Sequence, residues 1–246
     1  MILGVAVLLV GTLAGATAAI AGFGIGSLLT PLLAAPLGTA AAIAAVSIPH
    51  AIATALRTWR LRTAIDLSVL RRFGLVSAAG GFAGGLLHTE LGTRALTLVL
   101  GALLIATALI GLRGLPEGWT PRGGAVTGMG LLSGFFGGIA GNQGGLRASA
   151  LMAFRLEPRV FVATSTATGL LVDAARTPIY VWKAGSILAG AAPLIAIATV
   201  GVVAGTLIGE RILLGMRPVT FRRIVSGLIG LLGIWLLASA LLSGTG

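Results

Sequence analysis

The sequence predicts an all-α polytopic membrane protein made of two inverted halves, each with a broken or re-entrant short helix directly after a glycine-rich segment. Three features point there: apolar runs of spanning length that follow one another along the chain, a glycine pattern that occurs twice, and a charge bias that changes loop between the two copies.

The apolar runs dominate the composition. Of 246 residues, 57% are hydrophobic, 9% are charged and 39 are glycine; the mean hydropathy is +1.06. Soluble domains carry about 25% charged residues, and about 20 consecutive apolar residues suffice to cross hydrocarbon as a helix. A transmembrane β-barrel would instead alternate apolar and polar residues in segments of about ten, and that period is missing. A formal charge of +11 would suggest nucleic acid for a soluble protein. Here the arginines gather in short loops between apolar runs, where they fix orientation. Without cysteine, disulfides, thiol catalysis and cysteine-ligated metals are excluded. His50 and His88 are the only imidazoles, so no metal site is expected. The opening stretch "MILGVAVLLVGTLAG" lacks the basic n-region of a signal peptide and reads as the first membrane helix. Every Lys/Arg position except Lys183 is arginine, which fits a GC-rich bacterial genome.

The glycine pattern appears when "GTLAGATAAIAGFGIGSLL" from Gly11 is laid on "GLLSGFFGGIAGNQGGLRA" from Gly130. Gly11, Gly15, Gly22 and Gly26 then meet Gly130, Gly134, Gly141 and Gly145, and Ile20 and Ala21 meet Ile139 and Ala140. In the same register Arg57 falls on Arg176; after a one-residue shift Gly81 and Gly85 meet Gly201 and Gly205. The expected organisation is one integral membrane domain in two repeats, 1–113 and 123–246, joined by a linker at 114–122.

Each half divides into five apolar pieces, at about 2–20, 25–36, 39–57, 72–88 and 94–112, and again at about 123–140, 144–154, 159–175, 186–209 and 221–243. The second piece of each half is too short to span, since about a dozen helical residues cover roughly 18 Å of a core near 30 Å. It reads as a half-helix or a re-entrant arm.

Charge separates parallel from inverted halves. Between the third and fourth pieces the first half carries Arg57, Arg60, Arg62, Arg71 and Arg72, whereas the matching stretch of the second carries Arg176 and Lys183. Between the fourth and fifth the bias reverses: Arg94 and Glu90 stand against Arg211, Arg217, Arg222 and Arg223 with Glu210. Equivalent loops then lie on opposite sides, which predicts both termini outside and the arginine-rich loops in the cytoplasm.

Candidate site residues cluster where the two full helices give way to the short ones. Glycines such as Gly80, Gly84, Gly101 and Gly111 are read as close-packing positions. The stretches "AGFGIGS", Ala21 to Ser27, and "AGNQGG", Ala140 to Gly145, add polar groups at a break. Unwound backbone at bilayer depth is tolerated only where protein or a water-filled cavity satisfies it. The first N–H groups of the helix that follows are unpartnered and carry the positive end of its dipole, a seat for an anion. Gly24, Gly26 and Ser27 in the first half, and Asn142, Gln143, Gly144 and Gly145 in the second, are therefore the expected substrate-binding residues. Arg147 joins them one turn into the second short helix, where its repeat partner is Leu28. A charge at that depth costs from about 3 to more than 10 kcal/mol unless compensated. Two readings stay open for it: counter-charge to a bound anion, or a side chain that snorkels or pairs with a carboxylate. Asp173 and Arg176, spaced i,i+3, are either a structural ion pair or contributors to binding and proton coupling. His50, after Pro49, is either incidental to a kink or a proton carrier. His88, Glu90 and Glu210, near expected helix ends, are assigned interfacial duty.

The duplicated glycine segments, the first running on to proline in "AGFGIGSLLTPLL", together with the short helices after them, resemble the sulfite exporter TauE/SafE family over essentially the whole chain. Phe23 and Ile25 interrupt the first glycine cluster, and Ala150 stands where the second repeat would have proline. The resemblance implies a permease that exports, or less often takes up, sulfite, organosulfonates or related anions on ion gradients. No G-x-x-x-x-G-K-[ST] loop argues for nucleotide hydrolysis. The expected function is a secondary transporter working by alternating access at a midplane anion site. Its expected partners are a small anionic substrate, the lipid bilayer and protons as coupling ion, with no cofactor and no nucleic acid. A passive anion channel, a carrier of non-sulfur organic anions and a scaffold subunit are the alternatives. An intramembrane enzyme is disfavoured, because no Gly-x-Ser-x-Gly elbow, zinc motif or carboxylate pair lies at the breaks.

Overall fold

A computed structural model of the chain describes residues 2–21, 24–113, 123–141, 144–151, 154–212 and 218–242. Among them no strand occurs. The helices are α1 (Ile2–Ala21), α2 (Ile25–Leu37), α3 (Thr39–Arg60), the single turn α4 (Leu67–Val69), α5 (Leu75–Glu90), α6 (Thr93–Arg113), α7 (Gly124–Ala140), α8 (Gly144–Leu151), α9 (Pro158–Gly190), α10 (Ala192–Ile212) and α11 (Pro218–Leu242). A 3-10 turn (Arg62–Ala64) and a π turn (Leu70–Gly74) connect α3 to α5 around α4.

Four helices, α1, α3, α6 and α10, contain stretches long and apolar enough to cross a membrane; α2 and α7 are apolar but shorter. Much of the outer surface is hydrocarbon, with Leu9, Phe82, Leu132, Val200 and Leu231 exposed, as lipid contact requires. Trp59 and Trp182 are exposed near opposite ends of the bundle; tryptophan favours the two membrane interfaces. Several apolar helices of spanning length with lipid-like outer faces are those of a multi-pass membrane protein.

One expected boundary is corrected. The piece placed at 159–175 continues to Gly190 as a 33-residue helix, α9, with one non-helical residue at Ala184 (φ −114°, ψ 19°). At 1.5 Å per residue it is about 50 Å long. Pro178 lies inside it without ending it. Arg176 and Lys183, expected in a loop, therefore sit inside a helix, and so do Arg57 and Arg60 at the end of α3.

The halves pack by exchange. α1 lies on α10, α7 on α5, α6 on α11 and α3 on α9, so each pair takes one helix from each half. Glycine makes two of these pairs close. A Cβ on Gly15 would lie 2.1 Å from the Val202 carbonyl oxygen, one on Gly205 1.9 Å from that of Thr12, and one on Gly134 1.8 Å from that of Ser77. Matched positions advance together in both pairs, Gly11 with Ala198 and Gly15 with Val202, Gly80 with Leu131 and Gly84 with Phe135, so each pair runs parallel. In contrast α3 and α9 run antiparallel: Ala40 shares a cavity with Lys183, His50 meets Asp173, and the Asp66 N–H just beyond α3 donates to Thr164 Oγ1 at 3.0 Å.

The close glycine seam gives a direct test. Gly134→Ala is expected to destabilise the protein by about 3 kcal/mol through overpacking, whereas Gly128→Ala, whose Cβ would meet nothing within 4 Å, is expected to be neutral. Thermal unfolding of the two purified variants in one detergent compares them.

Candidate anion-binding site

The two glycine breaks meet inside the protein. α7 ends at Gly141, whose φ of 69° is left-handed and whose N–H closes on the Gly137 carbonyl at 2.9 Å. α2 begins after Gly24, with φ 138°, a conformation that a side chain would oppose. Gly26, in the first turn of α2, lies against the Gly141 carbonyl: a Cβ there would fall 2.4 Å from that oxygen. Ser27 follows, buried. Gly144 and Gly145 open α8; Asn142 and Gln143 lie outside the described residues.

Arg147, in the first turns of α8, is 5% exposed. Its Nε donates to Ser165 Oγ on α9 at 3.0 Å. Its Nη1 packs over Gly169, where a Cβ would come within 2.8 Å. In the repeat register Gly169 matches His50 and Leu28 matches Arg147. The second half thus places a large cation where the first has leucine, and clears its space with glycine where the first has histidine.

The other three candidates come together on α3 and α9. Asp173, fully buried, takes Nε and Nη2 of Arg176 on Oδ1 at 3.0 and 2.8 Å, and Nδ1 of His50 lies 2.6 Å from Oδ2. The carboxylate accepts, so Nδ1 of His50 carries a proton; Thr54 Oγ1 stands 3.3 Å from the same nitrogen. Arg176 also donates from Nη1 to the Gly137 carbonyl at 2.7 Å, which ties the cluster to the break. The cluster and Arg147 share one face of α9: Ser165, Gly169, Asp173, Arg176, Tyr180 and Lys183 recur every three or four residues.

Sequence reading missed three members of this site. Arg57 was assigned to a cytoplasmic loop, yet it is buried on α3, in line with His50 and Thr54. Its match to Arg176 in the repeat was the available signal. Ser165 and Tyr180 lie on the same α9 stripe, which a helical spacing test would have picked out. His88 is also corrected: it is not interfacial but buried, with Nδ1 donating to the Ile139 carbonyl at 2.8 Å. Glu90 does lie at the surface, 4.0 Å from Lys183.

The electrostatics follow from this crowding. Arg57 and Arg176 are near enough to Arg147 for their charges to repel it, and Asp173 near enough to attract it. Asp173 is the buried carboxylate among the described residues. Like charges gathered away from water are costly, and an anion in their midst relieves that cost. No three metal-ligating side chains gather among the described residues.

A family model described as Sulfite exporter TauE/SafE matches residues 7–236. No curated protein matches the chain, and no solved structure does. The matched span runs from α1 into α11 and takes in both glycine breaks, Arg147 and the His50, Asp173 and Arg176 cluster, and the chain belongs to the sulfite exporter TauE/SafE family.

Proposed function

We propose that the protein is a secondary transporter that exports sulfite or an organosulfonate across a bacterial cytoplasmic membrane by alternating access at the junction of its two glycine breaks. Membership of the family makes it a membrane transporter of sulfite-type sulfur anions and not an enzyme; the site, direction and mechanism are the proposal. The observation that carries it is the buried Arg147 at the start of α8, held on the same face of α9 as Arg176, which itself reaches the break at Gly137 and Gly141.

In this reading the substrate's oxygens take the N–H groups at Gly24, Gly26, Gly144 and Gly145, the donors of Ser27, Asn142 and Gln143, and the guanidinium of Arg147. Glycine lets the backbone approach, and a guanidinium offers two parallel N–H donors to an oxyanion. The halves, 1–113 and 123–246, act as inverted repeats; the antiparallel crossing of α3 and α9 and the exchanged helix pairs support that symmetry. Rocking one half against the other exposes the site to each face in turn, with the arginine-rich end in the cytoplasm and both termini outside. Protons couple through His50: gaining or losing one beside Asp173 changes the charge of the cluster by one and so changes its hold on the anion.

Counterflow in proteoliposomes tests the carrier. Unlabelled sulfite inside should accelerate uptake of labelled sulfite, with saturation. Flux that neither saturates nor shows counterflow identifies a pore, and absence of flux for both sulfite and organosulfonates rejects the assignment.

A further inference from the structure

We propose that the cleft between the first turns of α3, the end of α5 and the bent part of α9 is an outer docking site for the same class of small oxyanion, distinct from the site at the glycine breaks and resting on the transporter reading above. A cavity of about 210 Å³ opens there, lined by Ala40, Ala41, Ala44, His88, Tyr180 and Lys183. Drug-sized ligands need about 300 to 1,000 Å³, so this space suits a small anion. The three alanines of α3 create it, because any larger side chain on that face would fill it.

Lys183 stands at the rim, with a side chain 44% exposed, and its Nζ lies 4.0 Å from Glu90 Oε1. Glu90 is more exposed still, at 71%. A wet, long ion pair of this kind is worth little, and an arriving oxyanion can replace the carboxylate. The same ammonium lies 5.2 Å from the centre of the Trp182 ring, which holds the lysine at the membrane interface.

The floor of the cavity is an aromatic layer. The rings of His88 and Tyr180 lie 4.6 Å apart between centroids. Each donates to the last turn of α7: His88 Nδ1 to the Ile139 carbonyl and Tyr180 Oη to the Gly138 carbonyl. Directly below, Arg176 donates to the Gly137 carbonyl, with its Cζ 5.8 Å from the Tyr180 ring centre. Three consecutive carbonyls of α7 are thus held by three side chains from α5 and α9. Lys183, Tyr180 and Arg176 follow one another along a single face of α9 at steps of three and four residues. An anion at Lys183 is therefore one layer from the buried cluster, with the His88 and Tyr180 layer between them.

The test is sulfite flux in proteoliposomes sorted by orientation, measured at low ionic strength. Lys183→Gln should raise the KM for sulfite offered from the Trp182 face on the order of tenfold, the scale of electrostatic steering, with the maximal rate unchanged. From the arginine-rich face its KM should stay at the wild-type value. Raised salt should shrink the effect, Lys183→Arg should restore the wild-type KM, and Glu90→Gln should lower it. An unchanged KM from both faces, or an equal rise from both, overturns the docking site. If that happens while Arg147→Ala still stops flux, the transporter reading survives without it; if the wild-type protein moves neither sulfite nor an organosulfonate, both fall.

Discussion

Arg147→Ala is expected to abolish sulfite flux while the protein still inserts and folds. Arg147 is 5% exposed, and Ser165 and Gly169 hold its guanidinium against α9. Truncating one partner of a buried charge contact costs about 2–5 kcal/mol, which is a loss of at least about thirtyfold in affinity. Insertion should not suffer, since removing a charge from bilayer depth removes a cost. Arg147→Lys should fall between: it keeps the charge but loses the planar fork that meets an oxyanion with two parallel hydrogen bonds. Flux in proteoliposomes, with circular dichroism and gel filtration on the same preparations, separates lost binding from lost fold.

Asp173→Ala is expected to cost about 3–5 kcal/mol of stability, the usual price of breaking a buried ion pair from one side, and to remove transport with it. The carboxylate takes two bonds from Arg176 and faces His50 at 2.6 Å. Its removal leaves a buried guanidinium that still donates to the Gly137 carbonyl, at the edge of the break. The damage therefore reaches the site as well as the fold. Removing both charges together, as Asp173→Asn with Arg176→Gln, should recover part of the stability but not the flux, because neither member of the pair is then left without the other. A double-mutant cycle of thermal unfolding free energies measures the coupling between them.

Much of the fold is legible in the sequence because a bilayer permits few solutions. Helices α1, α2, α6 and α7 begin and end within a few residues of the expected pieces, since apolar length and glycine breaks are local signals. α9 is not legible in the same way. Hydropathy averaging treats Asp173, Arg176 and Lys183 as the end of a span, whereas Asp173 and Arg176 are buried with partners in space that a local window does not see, His50 and Gly137, and Lys183 lies at the surface of the same helix. The same averaging assigned Arg57 to a loop and His88 to an interface. Of the candidate site, His50, Asp173 and Arg176 lie in one cluster that reaches Gly137, Gly26 lies against Gly141 with Gly24 and Ser27 beside it in the chain, and Arg147 lies against Ser165 and Gly169 of α9. The residues that complete it, Arg57, Ser165 and Tyr180, needed the helical period of the α3 and α9 faces as well as the repeat.

Equilibrium stabilisation of the purified protein by sulfite tests the anion site most directly. At one hundred times its dissociation constant a ligand that binds only the folded state adds about 2.7 kcal/mol. Wild-type protein should show that rise on a saturating sulfite titration, and Arg147→Ala should show a much smaller one at the same concentrations. An equal rise in both proteins, or none in the wild type, would contradict an anion held by Arg147 at the meeting of the two breaks.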